Sequence, residues 1–206
     1  MATWKNLDTL ASYSKLAELK GHVNIADAMA GEKGAERVKK YSTPMAAGLT
    51  YNYAAKQVDE AVLDALAKLA DEAGKLGICL AMESLRPQES QLVVTLKDAK
   101  RMYDEVNSPN LKILIDTTAM SVQGETIDDW FDVFGDEVIH THFIDSNPYG
   151  HLAWGFGNRS LQEYLEALNR HNYQGCLGQE LTEFDYYENP GEIDRKNMAA
   201  FEPFIR

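Results

Sequence analysis

Residues 58–83, VDEAVLDALAKLADEAGKLGICLAME, hold one unit of the fold in a single run. Ala61, Leu63, Ala65, Leu66, Leu69 and Ala70 recur close to the 3.6-residue helical period, which predicts a helix over 58–77. The apolar run Ile78–Met82 then follows at strand length and ends on Glu83. Side chains two apart share a strand face, so Cys79, Ala81 and Glu83 point one way while Ile78, Leu80 and Met82 point the other.

Toward the C-terminus the same rhythm repeats. TLKDAKRMYDEV precedes LKILID, TIDDWFDVF precedes VIHTHFID, and SLQEYLEALNRHN precedes GCLGQE, with a last helical stretch from Pro190 to Phe204. Thr95, Thr126 and Ser160 stand as N-caps, each with an acid at the third following position. Toward the N-terminus, 7–19 reads as a helix, His22–Ala28 (HVNIADA) as a weaker strand, and Gly31–Tyr51 as loop. Five strands alternating with helices specify an α/β fold with a parallel sheet, of the (β/α)8 barrel type. A closed barrel takes about 250 residues, so about five βα units are expected here in one partial domain over 1–206, without the first strands.

Glu83, Asp116, His142 and Glu180 each stand at the end of an apolar strand, spaced by 33, 26 and 38 residues. Those are βα repeat lengths, and in a parallel barrel all such ends collect on one face. Singly, an acid at a strand end is more often a cap or a solvated loop residue. Three carboxylates and one imidazole together are the donor mixture of a divalent cation such as Mn²⁺, Co²⁺, Mg²⁺ or Zn²⁺. In the last run Cys176, Gly178 and Glu180 share the inward side, small residues suited to a crowded interior. His140 shares the face of His142 two residues deeper and is expected to pack behind it, while His151 lies in NPYGHLAWGFG, a Gly-rich loop that can reach back over the site.

Composition bounds the rest. The chain has 206 residues, 45% hydrophobic and 25% charged, ordinary for a soluble globular protein. Its net charge of −12 offers no basic footprint for nucleic acid or an anionic membrane surface. Cys79 and Cys176 fall in apolar runs and are expected as buried, reduced thiols, and no export signal or membrane-spanning run is read, which points to the cytoplasm.

From about residue 58 onward the chain resembles the xylose-isomerase-like barrels of the sugar phosphate isomerase/epimerase group, and within it the ketose 3-epimerases of fructoselysine and tagatose or psicose type. The matching segments are AMESLRPQES, LIDTTAM, HTHFID and GQEL. The resemblance implies that Glu83, Asp116, His142 and Glu180 bind one divalent metal, that Glu83 and Glu180 also shuttle the substrate proton through a cis-enediolate, and that Glu89 contacts the sugar. Tagatose-type enzymes carry a histidine where Ala119 stands and an arginine where Pro148 stands, and the His-Ala-Gly of fructoselysine-type relatives is Met29-Ala30-Gly31 here. The HLAWGFG loop is nearer the fructoselysine-type branch, with His151 a second sugar contact. A small-sugar epimerase working as a homo-oligomer is expected, its interface at the N-terminal 50 or so residues and the free sheet flank. The alternatives are a truncated barrel without activity and an inosose-dehydratase-like lyase. An endonuclease IV type is disfavoured by the acidic charge.

Overall fold

The structure, a computed structural model, describes residues 9–44, 50–52, 54, 59–90 and 92–205. The chain divides into two compact units: Met1–Leu80 with Tyr103–Leu111, and Ala81–Met102 with Lys112–Arg206.

In the first unit, α1 (Ala11–Glu18), α2 (Ile25–Ala28) and α3 (Gly31–Lys40) precede an antiparallel pair, β1 (Ser42–Pro44) and β2 (Thr50–Asn52), and then the long α4 (Glu60–Lys75). Helix α4 buries Ala65, Leu69, Ala70 and Ala73, packs against α1 and is capped by Asp59, which accepts a hydrogen bond from Val62 N. Two expectations are corrected here. HVNIADA is not a strand: Asn24 caps its second half by accepting from Asp27 N, and this local bond wins over a weak apolar alternation. Gly31–Tyr51 is not all loop, since α3 and the β1–β2 pair occupy most of its described part. Gly34 sits inside α3 because a Cβ there would meet Met29 O at 2.1 Å, so a residue that reads as a helix breaker is needed for a close approach.

The second unit holds most of a parallel sheet. The elements lying wholly or mostly in it are β3 (Leu80–Glu83), α5 (Leu96–Val106), β4 (Leu111–Asp116), α6 (Thr117–Val122), α7 (Ile127–Phe134), β5 (Val138–His142), β6 (Asp145–Asn147), β7 (Tyr149–Leu152), α8 (Leu161–Arg170), β8 (Cys176–Gly178) and α9 (Pro190–Phe201). The sheet runs β3-β4-β5-β8, four strands rather than the five expected, with Asp116 level with His142 and His142 level with Gly178. All three expected caps form: Thr95 and Asp98 bond reciprocally, Thr126 and Asp129 form a capping box, and Ser160 accepts from Glu163 N. None of the described helices is long and apolar enough to cross a membrane.

The outward residues of β4 are fully buried, Ile113 and Ile115 both at 0% exposure, as a strand covered by helices requires. The thiols are not. Cys79 and Cys176 are free but exposed, as is Ala81, which corrects the expectation of a crowded interior. They lie on or beside β3 and β8, the outer strands of the sheet, which have no further strand beside them among the described residues.

The loop after β5 is an antiparallel β6–β7 pair followed by turns, a structure hidden in the sequence. Asp145, 1% exposed, organises it: Oδ1 accepts from Ser146 N (2.8 Å) and Arg159 N (3.0 Å), and Oδ2 from Gly155 N (3.1 Å) and Gly157 N (2.8 Å). Gly157 is required, since a Cβ would stand 2.2 Å from Asp145 Oδ1. Asp145→Ala leaves four backbone donors without their acceptor and is expected to destabilise the fold by about 3 kcal/mol. Urea unfolding measures this. A loss under about 1 kcal/mol would show that water replaces the carboxylate.

Candidate metal centre

Glu83, Asp116, His142 and Glu180 come together. Each offers one ligand atom, and these atoms all lie within 4.8 Å of one another. Parallel register explains the convergence: strand ends that stand level turn their last inward side chains toward a common point.

Asp116 divides its two oxygens. Oδ1 caps α6, accepting from Ala119 N at 2.6 Å, and Oδ2 faces the cluster, 3.7 Å from both His142 Nδ1 and His151 Nε2. The next two residues pin the surroundings. Thr117 Oγ1 donates to Ile144 O (2.8 Å) and accepts from Ile144 N (3.0 Å), and Thr118 Oγ1 donates to Gly150 O (3.1 Å). Neither threonine was singled out from sequence; the apolar run ending in Asp-Thr-Thr was the available signal.

His142 Nδ1 lies 2.7 Å from Glu83 Oε1 and 3.1 Å from Glu180 Oε2. Asp116 and then Glu83 hold the imidazole protonated, with its pKa raised from 6.5 to about 10. His140 packs edge-on against His142, ring centroids 5.8 Å apart, in the place expected for a residue behind the ligand.

His151 reaches the site as the loop reading expected. It is 9% exposed, with Nδ1 3.1 Å from Glu180 Oε2. That contact is not aligned as a hydrogen bond, so His151 Nδ1 and Ser84 Oγ are buried polar atoms of this cleft without a hydrogen-bond partner among the described residues. Glu89 also lines the cleft but is more exposed, and its carboxylate is gripped by Arg86, whose Nε donates at 2.9 Å and whose second nitrogen pairs with the other oxygen. Arg86 was not singled out from sequence. The pairing holds the Glu89 carboxyl below its ordinary pKa.

The cleft itself measures about 80 Å³, room for an ion and a few ligand atoms. A larger groove of about 490 Å³, lined by Glu125, Arg159, Glu163 and Arg170 among others, lies in the same unit but contains none of the four converging ligands. Three of the four converging side chains, Glu83, Asp116 and Glu180, line the smaller cleft instead. Three carboxylates and an imidazole fit a hard or borderline divalent cation. Two atoms each about 2.1 Å from one ion lie at most about 4.2 Å apart, so the set would draw together on binding one.

Residues 11–203 match the xylose isomerase-like TIM barrel family. The chain is 35% identical over 125 residues to a glucose-6-phosphate isomerase of Treponema pallidum, covering 60% of this chain and 20% of that one. It is 30% identical over 142 residues to a fructoselysine 3-epimerase of Escherichia coli O157:H7, covering 68% and 51%. Among solved structures, a 3-keto-D-glucoside 4-epimerase from E. coli superposes with a TM-score of 0.60 at 23% identity, over 70% of this chain and 53% of that one. The chain thus spans about half the length of the epimerase relative, and less of the isomerase.

The raised pKa of His142 sets a pH dependence. The folded, metal-free protein keeps a proton that the unfolded chain releases above about 6.5, so this stabilisation is complete below 6.5 and is lost as pH climbs toward about 10. Thermal unfolding in chelator is expected to show Tm falling across that window, and His142→Gln to flatten the fall. An equal slope in the variant would assign the dependence to other groups.

Proposed function

Because the chain belongs to the xylose isomerase-like TIM barrel family, we propose that it is a sugar epimerase of the ketose 3-epimerase type, dependent on one divalent cation held by Glu83, Asp116, His142 and Glu180. The convergence of those four ligand atoms carries the reading. The relatives' names support it: 3-epimerisation and aldose–ketose isomerisation both begin by removing a proton from a carbon next to a carbonyl. When bound, the cation supplies Lewis-acid polarisation of the substrate oxygens.

The protein's own groups then divide the proton work. Glu83 ends β3 and Glu180 follows β8, the two outer strands of the sheet, so their carboxylates approach a ligand above Asp116 and His142 from opposite sides. One carboxylate takes the proton from carbon 3 of the ketose, the C–H electrons passing into the enediolate. The other returns a proton on the opposite face, which inverts that carbon with no net redox change. His151 Nδ1, buried and without a hydrogen-bond partner among the described residues, would donate to or accept from a sugar hydroxyl, and Glu89, steadied by Arg86, would accept from another. A ketose or a cationic fructosamine suits a cleft lined by Glu83, Glu89, Asp116 and Glu180 in a chain of net charge −12. Association of copies completes the proposal, supported by outer strands β3 and β8 that have no neighbour among the described residues, and sedimentation at micromolar concentration tests it.

The small cleft also favours a second reading, a barrel that keeps the ligands without activity. Solvent exchange separates the two. In D₂O with ketoses and fructosamines, the metal-loaded protein is expected to incorporate deuterium at the carbon next to the carbonyl, read by NMR. Glu180→Gln should slow incorporation by about 10² to 10⁴ while retaining the fold; undiminished exchange in that variant would remove Glu180 from the proton transfer. Asp116→Ala should abolish stoichiometric metal by elemental analysis and, through the lost cap of α6, cost about 1 kcal/mol of stability.

A further inference from the structure

Behind the cleft lies a closed circuit of four residues. Phe143 C=O accepts from Gln179 Nε2 at 2.8 Å and from Trp154 Nε1 at 3.0 Å. Asn197 Nδ2 donates to Gln179 Oε1 at 2.7 Å, and Asn197 Oδ1 accepts from Trp154 N at 2.8 Å. Phe143 is fully buried, and Trp154 and Asn197 are each 2% exposed. Aromatic rings enclose the circuit, with Phe143 5.0 Å from Trp154 and Phe201 beside both.

Three of the four members adjoin the site in sequence. Phe143 follows His142, Gln179 precedes Glu180, and Trp154 stands three residues after His151. Asn197, on α9, is the one member outside those segments, and it joins the other two side chains. Its polarity is fixed as well. Trp154 N–H can only donate, so Asn197 Oδ1 must face it and Nδ2 must face Gln179; Phe143 C=O can only accept, so Gln179 must present Nε2 to it and Oε1 to Asn197. One orientation of each amide satisfies the whole circuit.

We propose that Asn197 is a positioning residue: through this circuit it sets the spacing of His142, Glu180 and His151. The proposal rests on the reading that these three serve one metal and sugar site. Partners that orient ligands without touching the metal are typically worth about 10-fold to 100-fold in metal affinity, and here one buried amide serves three segments at once.

Asn197→Asp tests it with almost no change in volume, because an acceptor oxygen would then face Gln179 Oε1 and Gln179 could turn only by setting Oε1 against Phe143 C=O. In the folded variant, the imidazole ¹⁵N resonances of His142 and His151 in the metal-free protein are expected to move, the absorption spectrum of bound Co²⁺ to change, and Co²⁺ affinity to fall about 10-fold or more. Met102→Ala, a core change on α5, should lower Tm without moving any of the three. Should Asn197→Asp not fold, Trp154→Phe removes one donor and keeps the ring, with shifts of the same kind and smaller size expected. Unmoved imidazole resonances with unchanged Co²⁺ affinity in a folded variant overturn the proposal. Moved resonances in a protein whose wild type binds no Co²⁺ uphold the positioning and sink the metal reading instead.

Discussion

The buried carboxylate of Asp116 is the point on which the second unit turns. A carboxylate at 2% exposure is costly unless its oxygens are used. One oxygen satisfies the open end of α6 and the other faces the ligand cluster, so the end of β4, the start of α6 and the site are a single local structure. Thr117 and Thr118 extend it to the chain after β5 and to the β7 segment that carries His151.

The charge pattern follows from the same crowding. Glu83, Asp116 and Glu180 surround one imidazole, and in the absence of a cation the proton on His142 is the only positive charge at the centre of the four. A cation held at that centre would displace the proton, which would link its affinity to pH. Arg86 does for Glu89 at the rim what His142 does for the acids within: it holds a carboxylate in place by charge-assisted bonds.

Behind the cluster, precision comes from groups that do not face it. Asp145 gathers the backbone N–H groups of Ser146 and of three residues in the turns after β7, and the Phe143, Gln179, Asn197 and Trp154 circuit ties those turns to the ends of β5 and β8 and to α9. Phe143, Asp145 and Gln179 lie in segments that read as strands, Trp154 in a loop and Asn197 in a helix, and none of the segments marks these contacts. Site geometry of this kind is set by residues that touch no ligand.

The alternation of apolar helix and strand from residue 58 onward determined the βα rhythm, and the four strand-end donors were legible because strand periodicity and parallel topology leave such side chains one place to go. The caps at Thr95, Thr126 and Ser160 were legible for the same reason: their partners lie three residues away. What depends on residues far apart was not. The exposure of Cys79 and Cys176 follows from which strands border the sheet, and the roles of Asp145 and Asn197 exist only where the fold brings up partners ten or more residues away. Local periodicity records which face a side chain takes. Only the tertiary structure decides which other groups meet it there, because hydrogen bonds act at about 3 Å and sequence separation places no atom within that distance.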